Sequence, residues 1–597
     1  MKDHASAARA HAPAPQDGSA ATPRWQRFPW IPVVVAALLC AFTRLETIHS
    51  NPRLAFAFFA AAGLLGAWTI LLWSGAALWG QRFGVELFPP AKSHYIQGSV
   101  QICIYLYWGW YFREVYAQLP LFIAQLVFYY GFEGLLTWSR GRKWRLGFGP
   151  LPIILSTNIF LWFRPDWYVF QFALIATAAL GKEFIRWNRG GPRKVHIFNP
   201  SAFCISAFAV VLLATDTTHY TWASQIADTL NQPTYIYSLI FLLGLVVQYF
   251  FSVTLMTLCA VGTLAALGLV HTWSTGTYHF VTSNIPAPVF LGMHLLMTDP
   301  ATTPRTNTGK ALFGVLYGVL TFVGYGIFAY FDSYTIYDKL LPIPLLNLSV
   351  RWIDRVAASR MFDFVRRIES AFQPRRLNLA HMGVWVALFA TMWSTGFVEA
   401  PHEGTTYEFW RKALDEGRPN AAKGMIDVLR FRGRFEDTAA LNELGVIYAQ
   451  GQIVPRDAEL SMKFFGRASR LGSLSASANI AKLFLEAPSA AETASVTRAF
   501  ERIESECAGS GSTPAHGALC FLLGRACETG HGRPLDPKHA REVYAHGAEL
   551  ANPDCRAALA RLSNGAQQHT ANQRPDGRTS AQPPKLPTAA PDKSDAH

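Results

Sequence analysis

The sequence predicts an all-α protein: a polytopic bundle of about 12 to 13 transmembrane helices, followed by a soluble α-solenoid of helical repeats. Two observations predict this class. Apolar stretches near or above the length of about 20 residues that crosses a bilayer recur through the first two thirds of the chain. The last third has an ordinary soluble composition and repeats a helix–turn–helix pattern.

The predicted membrane helices follow these apolar runs. They are Ile31–Arg44, Leu54–Trp79, Gln97–Phe112, Leu119–Trp138, Leu151–Phe163, Trp167–Leu180, Ser201–Ala214, Tyr235–Phe251, Thr254–Val270, Pro286–Thr298, Ala311–Phe331 and Gly383–Phe397. Leu340–Val350 is a weaker candidate because it is short and carries two prolines. Short segments interrupted by proline favour an internal repeat with broken helices.

Composition divides the chain into further parts. The predicted parts are a disordered amino-terminal arm (1–28), a transmembrane domain (29–355), a basic cytoplasmic segment (356–381), a final transmembrane helix (382–398), a helical repeat domain (405–562) and a disordered tail (563–597). The arm is rich in Ala, Pro and His and lacks a cleavage site behind a short apolar core, which argues against a cleaved signal peptide.

Basic residues concentrate in alternate loops, a distribution that sets orientation in the membrane. These residues are Arg24, Arg27, Arg82, Lys92, Arg140, Arg142, Lys143, Arg145, Lys182, Arg186, Arg189, Arg193, Lys194, Arg305 and Lys310. The loops Thr215–Thr234 and His271–Ile285 contain no Lys or Arg. We expect a multi-pass protein of the bacterial inner membrane, in contact with lipid, with a cytoplasmic amino terminus and a periplasmic repeat domain. Nothing in the charge pattern indicates a nucleic-acid partner.

The repeat domain contains two matching segments, Leu441–Ser473 and Cys520–Cys555. Each has a helix with small residues at fixed spacing, a turn with proline and aspartate, and a second helix rich in aromatic residues and alanine. They resemble the Sel-one-like short tetratricopeptide-type repeat, which implies binding of protein partners. A passive structural cap is the alternative.

Four of the cysteines lie in this soluble third. They are Cys507, Cys520, Cys527 and Cys555. An even number is compatible with two disulfides in an oxidising compartment, whereas reduced and buried thiols are the alternative.

Two short constellations carry the chemistry predicted for the membrane part. In the first, Arg193, Lys194 and His196 precede Asn199-Pro200, where a helix begins. Asn is a preferred N-cap and Pro fits the first helical turn, so capping explains these last two residues. The cationic residues beside a helix amino terminus are also suited to binding an anion such as phosphate.

The second constellation repeats this form. His294 and Thr298 precede Asp299-Pro300, which ends an apolar run. An acidic residue at a membrane edge is costly unless it is paired, hydrated or functional. We therefore expect the two constellations to form one paired cytoplasmic site; the alternative is that Asp299 only caps the next helix.

KVHIFNPSAF (Lys194–Phe203) and HLLMTDPATTPRTNTGK (His294–Lys310) resemble segments of the membrane subunit family that includes RnfD and NqrB. The resemblance covers Pro89–Arg355 and is best with the UnbU-type branch, associated with natural-product (enediyne) biosynthesis. It implies that the protein transports electrons, holds a flavin and assembles with other subunits of a membrane redox complex. It also implies coupling to ion transport.

Family members that carry covalent flavin attach FMN to a Thr within an SGAT-type segment. Such a segment is absent here, and the nearest likeness is STGT at Ser274–Thr277. The expectation is therefore non-covalent FMN or riboflavin, or a quinone.

Three functions remain open: a redox subunit, a non-redox transporter or channel on the same fold, and a membrane scaffold that recruits partners through the repeats. Glu133, inside an apolar run, is an ion or proton candidate or else a structural partner of an arginine. No metal-ligand spacing is present.

Overall fold

A computed structural model of the chain describes residues 30–79, 83–89, 91–141, 143–189, 194–331, 333–487, 493–509 and 513–571. The predicted amino-terminal arm lies outside these residues, as does most of the predicted tail; helix continues to Ala571. The chain divides into two compact units between Phe435 and Glu436, here called unit 1 and unit 2. The structure is 75% helical, which confirms the all-α class.

Unit 1 consists of helices and two short strand pairs. The helices in its first half are α1 Ile31–Phe42, α2 Glu46–His49, α3 Pro52–Trp79, α4 Lys92–Tyr111, α5 Arg113–Ala117, α6 Leu119–Ser139, α7 Pro150–Asn158, α8 Tyr168–Phe184 and α9 Pro200–Ala214. Those in its second half are α10 Ala223–Thr229, α11 Ile236–Phe251, α12 Thr254–Thr275, α13 Ala287–Leu291, α14 Asn307–Tyr330, α15 Pro342–Ala357, α16 Asp363–Ser370, α17 Pro374–Ser394, α18 Tyr407–Asp415 and α19 Ala421–Arg434. The strand β1 (Val85–Leu87) pairs in parallel with β2 (Trp144–Leu146), and β3 (Arg186–Trp187) pairs antiparallel with β4 (Val195–His196).

Every predicted apolar run contains a helix, although not every run is helical to its end. The run Leu151–Phe163 is helical only as far as Asn158. A buried amide network explains this end: Asn158 Nδ2 donates to Gln125 Oε1 at 2.7 Å, and the Phe163 N–H donates to Gln171 Oε1 at 2.9 Å. The Gln171 side-chain oxygen thus accepts an N–H group that would bond to a backbone carbonyl in a continuing helix.

Four of the described helices are long and apolar enough to cross a membrane. They are the segments Pro52–Ala76, Arg113–Ser139, Thr254–Thr275 and Asn307–Tyr330. Four further apolar helices, α1, α9, α11 and the segment Ala287–Leu296, are shorter. Length and composition therefore support part of the predicted bundle, and the remaining crossings stay a prediction.

Helices α12 and α14 pack closely, and small residues explain how. A methyl group on Gly314 would lie 2.2 Å from the Met256 carbonyl oxygen, and one on Gly318 would lie 2.8 Å from the Ala260 carbonyl oxygen. Residues four apart share a helix face, so these glycines form one strip along which the two backbones approach each other.

The weak candidate Leu340–Val350 is part of a broken segment. The chain turns back after α14, and residues 335–341 enter the interior of unit 1 before α15 begins. Tyr317 Oη donates to the Lys339 carbonyl at 2.8 Å, and Ser206 Oγ donates to the Leu340 carbonyl at 3.0 Å. Both side chains are at least nine-tenths buried, so irregular backbone is present only inside the protein.

The basic loops meet at one end of unit 1. Arg189 donates to the Ala301 and Thr303 carbonyls at 3.1 Å, and Arg351 donates to the Asn188 carbonyl. These contacts join loops that the alternating charge pattern places on one side.

The loops without Lys or Arg meet at the other ends of the same helices. Tyr237 Oη donates to the Ile285 carbonyl at 2.7 Å, and Asn284 Nδ2 donates to the Phe397 carbonyl at 3.1 Å. Phe397 follows α17, so the chain leaves this helix at the end that lacks basic loops. The side of the membrane on which this end lies stays a prediction.

Unit 2 is a stack of antiparallel helices. They are α20 Thr438–Gln450, α21 Ala458–Arg470, α22 Leu474–Glu486, α23 Thr493–Cys507, α24 Pro514–Thr529, α25 Pro537–Glu549 and α26 Pro553–Ala571. Helix pairs α20/α21 and α24/α25 repeat the same details. In each, a glycine (Gly445, Gly524) leaves room for an aromatic ring (Phe465, Tyr544) of the partner helix.

The turns of the two pairs also match. Helix α20 ends at Gly451, with φ of +69°, and α24 ends at Gly530, with φ of +75°. Glycine adopts these left-handed angles without steric cost. Asp457 and Asp536 then cap α21 and α25 through their side-chain oxygens. The two segments therefore form the same supersecondary unit, as predicted.

Candidate functional site

The two constellations predicted from the sequence contact each other. Asn199 caps α9 by accepting the backbone N–H groups of Ser201 and Ala202 at 3.0 and 3.2 Å. Its amide nitrogen donates to the Leu296 carbonyl at 2.9 Å, at the end of the second constellation's helix. Asn199 thus has both roles considered for it: it caps a helix and joins the two segments.

Asp299 forms the second link between them. His196 Nε2 lies 3.4 Å from Asp299 Oδ2, and each side chain is about one fifth to one quarter exposed. The Ala301 N–H donates to Oδ1 at 3.0 Å, which closes an Asx turn. Helix α14 begins later and is capped by Thr306, so the alternative that Asp299 caps the next helix is wrong.

The surroundings of Asp299 favour its carboxylate form. Burial alone would raise the pKa of Asp299, but the hydrogen bond and positive charge of His196 act in the opposite direction. Hydrogen bonds from Ala301 N–H and Thr302 Oγ1 add to this effect, so the pKa is lowered overall. Asp299 is therefore a fixed negative charge at neutral pH.

The helix before Asp299 ends in a π-helical turn, Gly292–Leu296. Such turns occur frequently at functional sites. His294 lies in this turn and is fully buried; its Nδ1 donates to the Phe290 carbonyl at 2.7 Å, and its Nε2 has no hydrogen-bond partner. Thr298 is also buried and donates to the His294 carbonyl at 3.0 Å.

An ion pair holds the loop after Asp299. Arg189 Nη2 lies 3.1 Å from Asp354 Oδ2, and the arginine side chain is only 8% exposed. Asp354 Oδ1 accepts the Arg305 N–H at 3.2 Å. Since Arg189 also donates to two carbonyls of this loop, one side chain fixes residues 301–305 against α15.

A large basic cavity adjoins the paired segments. Its volume is about 1060 Å³, and six Lys or Arg side chains line it against three Glu side chains: Arg140, Lys143, Arg145, Lys182, Arg186 and Lys194, against Glu86, Glu133 and Glu183. Arg186 is the strand partner of His196, so the cavity and the paired site share a wall. The excess of positive charge suits an anionic ligand.

The acidic side chains of this cavity are already paired in part. Lys182 Nζ lies 2.8 Å from Glu133 Oε1, and Arg186 Nη2 lies 2.7 Å from Glu183 Oε2. In the part of the chain that the structure describes, no ion pair joins Lys143, Arg145 or Lys194 to an acidic group. None of the described acidic groups thus competes with a ligand for these three cations, although the Arg145 guanidinium lies over the Phe88 ring, 5.1 Å from its centroid.

His94 stands at the inner edge of the cavity beside Gly149. Burial lowers the pKa of His94, the Lys182 ammonium lowers it further, and the Asp299 carboxylate partly opposes this.

The predicted site residues thus do not all come together. His196, Asn199, Thr298 and Asp299 come together at the paired site, with Pro200 buried in the first turn of α9. Lys194 and Glu133 line the basic cavity, and Pro300 lines a second cavity of about 310 Å³ on the other side of the loop. His294 lies deeper in the core, and Arg193 is outside the described residues.

Several residues of this region escaped sequence reasoning. Asn347 accepts the Asn199 N–H at 3.0 Å and donates to the Thr302 carbonyl at 3.2 Å, so it joins both segments to α15. Asn347 stands alone among apolar residues in the weakest predicted crossing, and that isolation was the available signal.

The fully buried pair Asp338–Lys339, with 3.1 Å between Oδ1 and Nζ, was also missed. It lies in the interior of unit 1, and two adjacent opposite charges between apolar runs were its signal.

Comparison with known families identifies the repeats of unit 2. A family model of the Sel1 repeat matches residues 438–473 and 518–550. These matches confirm the predicted repeats, which are typical of proteins that bind other proteins. They cover no part of residues 89–355, so the resemblance to the RnfD/NqrB family stays a prediction. A search of curated proteins found no match to the chain.

Proposed function

We propose that the chain is an integral membrane protein related to the RnfD/NqrB electron-transport subunits, and that unit 1 holds FMN non-covalently in its basic cavity. The observation that carries this proposal is the cavity of about 1060 Å³ and its excess of cations beside the paired site. Ligand pockets span about 300–1000 Å³, so its volume is sufficient for FMN.

The residues that line the cavity suit both the phosphate and the ring system of FMN. Lys143, Arg145 and Lys194 would bind the phosphate, because no acidic group is paired with them among the described residues. Phe148 also lines the cavity and offers an apolar ring to the flavin, whereas Phe88 already has the Arg145 guanidinium over its ring. When bound, the flavin supplies electron-transfer chemistry, and the protein supplies binding and electrostatics.

The residues of the STGT segment favour non-covalent binding of FMN over its covalent attachment. In the STGT segment, Thr277 is 2% exposed and its hydroxyl lies 2.9 Å from the Thr275 hydroxyl. The Thr277 hydroxyl is therefore not presented at the surface, as an FMN acceptor would be. A quinone or riboflavin is the alternative ligand, and both lack the phosphate that the cations would bind.

The proposed membrane placement agrees with the outward side chains of unit 1. Large apolar side chains are exposed on candidate membrane helices; examples are Phe56, Leu71 and Leu78 on α3 and Val323, Ile327 and Tyr330 on α14. Lipid would cover these side chains, whereas water would leave them as a costly apolar surface.

Unit 2 would recruit protein partners to the membrane, among them other subunits of a redox complex. The Sel1 repeats support binding of proteins in general. A chain whose only activity was such recruitment would be a scaffold. A flavin-binding titration distinguishes a scaffold from a redox subunit.

The test is a binding titration on the full chain purified in detergent, with FMN and riboflavin as alternative ligands. We expect FMN to bind at least about tenfold more tightly than riboflavin, as two or more charge-assisted hydrogen bonds to phosphate would give. Replacing Lys143 and Arg145 together with Ala should remove this preference. Arg53→Ala is the matched control, because Arg53 is exposed and does not line the cavity. Equal affinities, or no flavin binding, would contradict the proposal.

A non-redox transporter on the same fold is the second candidate, and the buried Asp338–Lys339 pair favours it. Ionisable residues buried inside a membrane bundle commonly mark ion or proton pathways. Ion flux into liposomes by flavin-free protein, abolished by Asp338→Asn with Lys339→Met, would support this candidate.

A further inference from the structure

Unit 2 contains a compact group of nitrogen and sulfur donors that the repeat architecture does not require. A ring nitrogen of His516, a ring nitrogen of His546 and the Sγ of Cys520 all lie within 4.8 Å of one another. His516 and Cys520 are four residues apart on α24 and therefore share a helix face. His546 lies on the neighbouring helix α25.

Buried nitrogen atoms without partners point to a ligand between these side chains. His516 is only 4% exposed, and its Nε2 has no hydrogen-bond partner. Nε2 of His546 is likewise buried and without a partner. A buried polar atom without a partner costs free energy, and a metal ion would satisfy both lone pairs.

A fourth donor is present. Cys507 Sγ, on α23, lies 3.3 Å from Cys520 Sγ, and both cysteines are buried and free. The thiolate is the form that binds a metal.

We propose that Cys507, His516, Cys520 and His546 form a zinc site that joins helices α23, α24 and α25. Two thiolates and two imidazoles are the donor set of closed, structural zinc sites. With Zn–S bonds of about 2.3 Å and Zn–N bonds of about 2.0–2.1 Å, tetrahedral donors lie roughly 3.3–3.8 Å apart. Side-chain rotations of about 1 Å therefore bring the donors of His516, Cys520 and His546 to this spacing, and Cys507 joins them through its contact with Cys520.

A carboxylate lies near one of the ligands, beyond hydrogen-bond distance. His546 Nδ1 is 3.7 Å from Glu549 Oε2, on the side of the ring away from the partnerless Nε2. Binding forms two Zn–S and two Zn–N bonds and releases the thiol protons to solvent, without any redox change.

The experiment uses the untagged full chain, reduced, stripped of metal with a chelator and then titrated with Zn²⁺ or Co²⁺. We expect one metal ion per chain and, with Co²⁺, the visible bands of tetrahedral coordination together with thiolate-to-metal charge transfer. His546→Ala should weaken Zn²⁺ binding by at least about 100-fold, since it removes a ligand and not only a group that orients one. His546 is more than one third exposed, so this variant keeps the fold.

Cys527→Ser is the matched control, because Cys527 is a buried thiol of the same helix that belongs to no part of the donor group. It should bind Zn²⁺ as the unchanged chain does. The proposal is overturned if His546→Ala binds with unchanged affinity or if the reduced chain takes up less than one ion. It is also overturned if mass mapping of protein alkylated at cell lysis finds a Cys507–Cys520 disulfide in place of thiols.

Discussion

At the scale of single residues, the charge of Asp299 is the feature on which the paired site depends. Asp299→Asn keeps an acceptor for the Ala301 N–H but removes the negative charge beside His196. We expect normal amounts of the variant in the membrane and loss of the activity of unit 1. Membrane yield measures the first effect, and electron transfer by the FMN-loaded variant or ion flux measures the second. Undiminished activity would reduce Asp299 to a turn-forming residue.

Acid stability gives Asp299 a separate test. Because its folded-state pKa is lowered, its contribution to stability is present above the unfolded value of about 3.9 and is lost as the pH falls through the folded-state pKa. Thermal unfolding in detergent should show that Asp299→Asn is less stable than the unchanged chain at pH 7. The difference should shrink as the pH falls below about 4, and a difference independent of pH would contradict the assignment.

The Glu133–Lys182 pair is suited to a double-mutant cycle. Lys182→Met should destabilise unit 1 by about 1.5–3 kcal/mol, since it leaves the largely buried Glu133 carboxylate without its charged partner. Adding Glu133→Gln should restore part of this loss, because no unpaired charge remains. Strictly additive effects of the two replacements would show that the pair does not interact.

Sequence reasoning located the centre of the candidate site and missed its periphery. His196, Asn199 and Asp299 were predictable because polar residues beside proline interrupt apolar runs. Asn347, Arg189 and Asp354 were not assigned, because their roles depend on which loops meet at the basic end of unit 1. His94 and Lys182 gave no local pattern for the same reason, since the cavity is assembled from distant segments.

At the scale of elements, the contact between α12 and α14 makes a sharp prediction. Gly314→Ala places a methyl group 2.2 Å from the Met256 carbonyl oxygen, so the helices must separate. We expect destabilisation of about 1–3 kcal/mol or more, typical of overpacking. Gly262→Ala is the control, because nothing lies within 4 Å of its new methyl group on α12. Equal thermal stability of the two variants would contradict the close packing.

The helices themselves were largely predictable, and their interruptions were not. Apolar runs of sufficient length identified the positions of α3, α6, α12 and α14. The early end of α7 depends on a side-chain amide from α8, and the π-helical turn before Asp299 has no sequence signature. At the end of α7, a tertiary contact replaces a regular backbone hydrogen bond that periodicity assumes.

At the scale of the whole molecule, the predicted orientation can be tested with cysteine reagents. The natural cysteines of unit 2 are poor probes because all four are buried. We instead predict that Leu535→Cys, at a position 66% exposed, reacts with a membrane-impermeant maleimide in cells with a permeable outer membrane.

The matched variant is Met361→Cys, at a position 74% exposed in the basic segment, which should react only after lysis. Both variants are made after Cys40, Cys103 and Cys259 have been replaced by Ser. Labelling of both positions in intact cells, or of Met361→Cys alone, would refute the proposed orientation.

The broken segment before α15 has a consequence for biogenesis under the proposed membrane placement. Asp338 and Lys339 make residues 335–350 too polar to enter a bilayer as an isolated helix. Tyr337, Lys339 and Leu340 of this segment form hydrogen bonds with α9, α14 and the Thr218 loop, which are all synthesised earlier. The segment must therefore fold into a bundle that already exists, which makes the insertion of residues 335–350 a late and dependent step of membrane assembly.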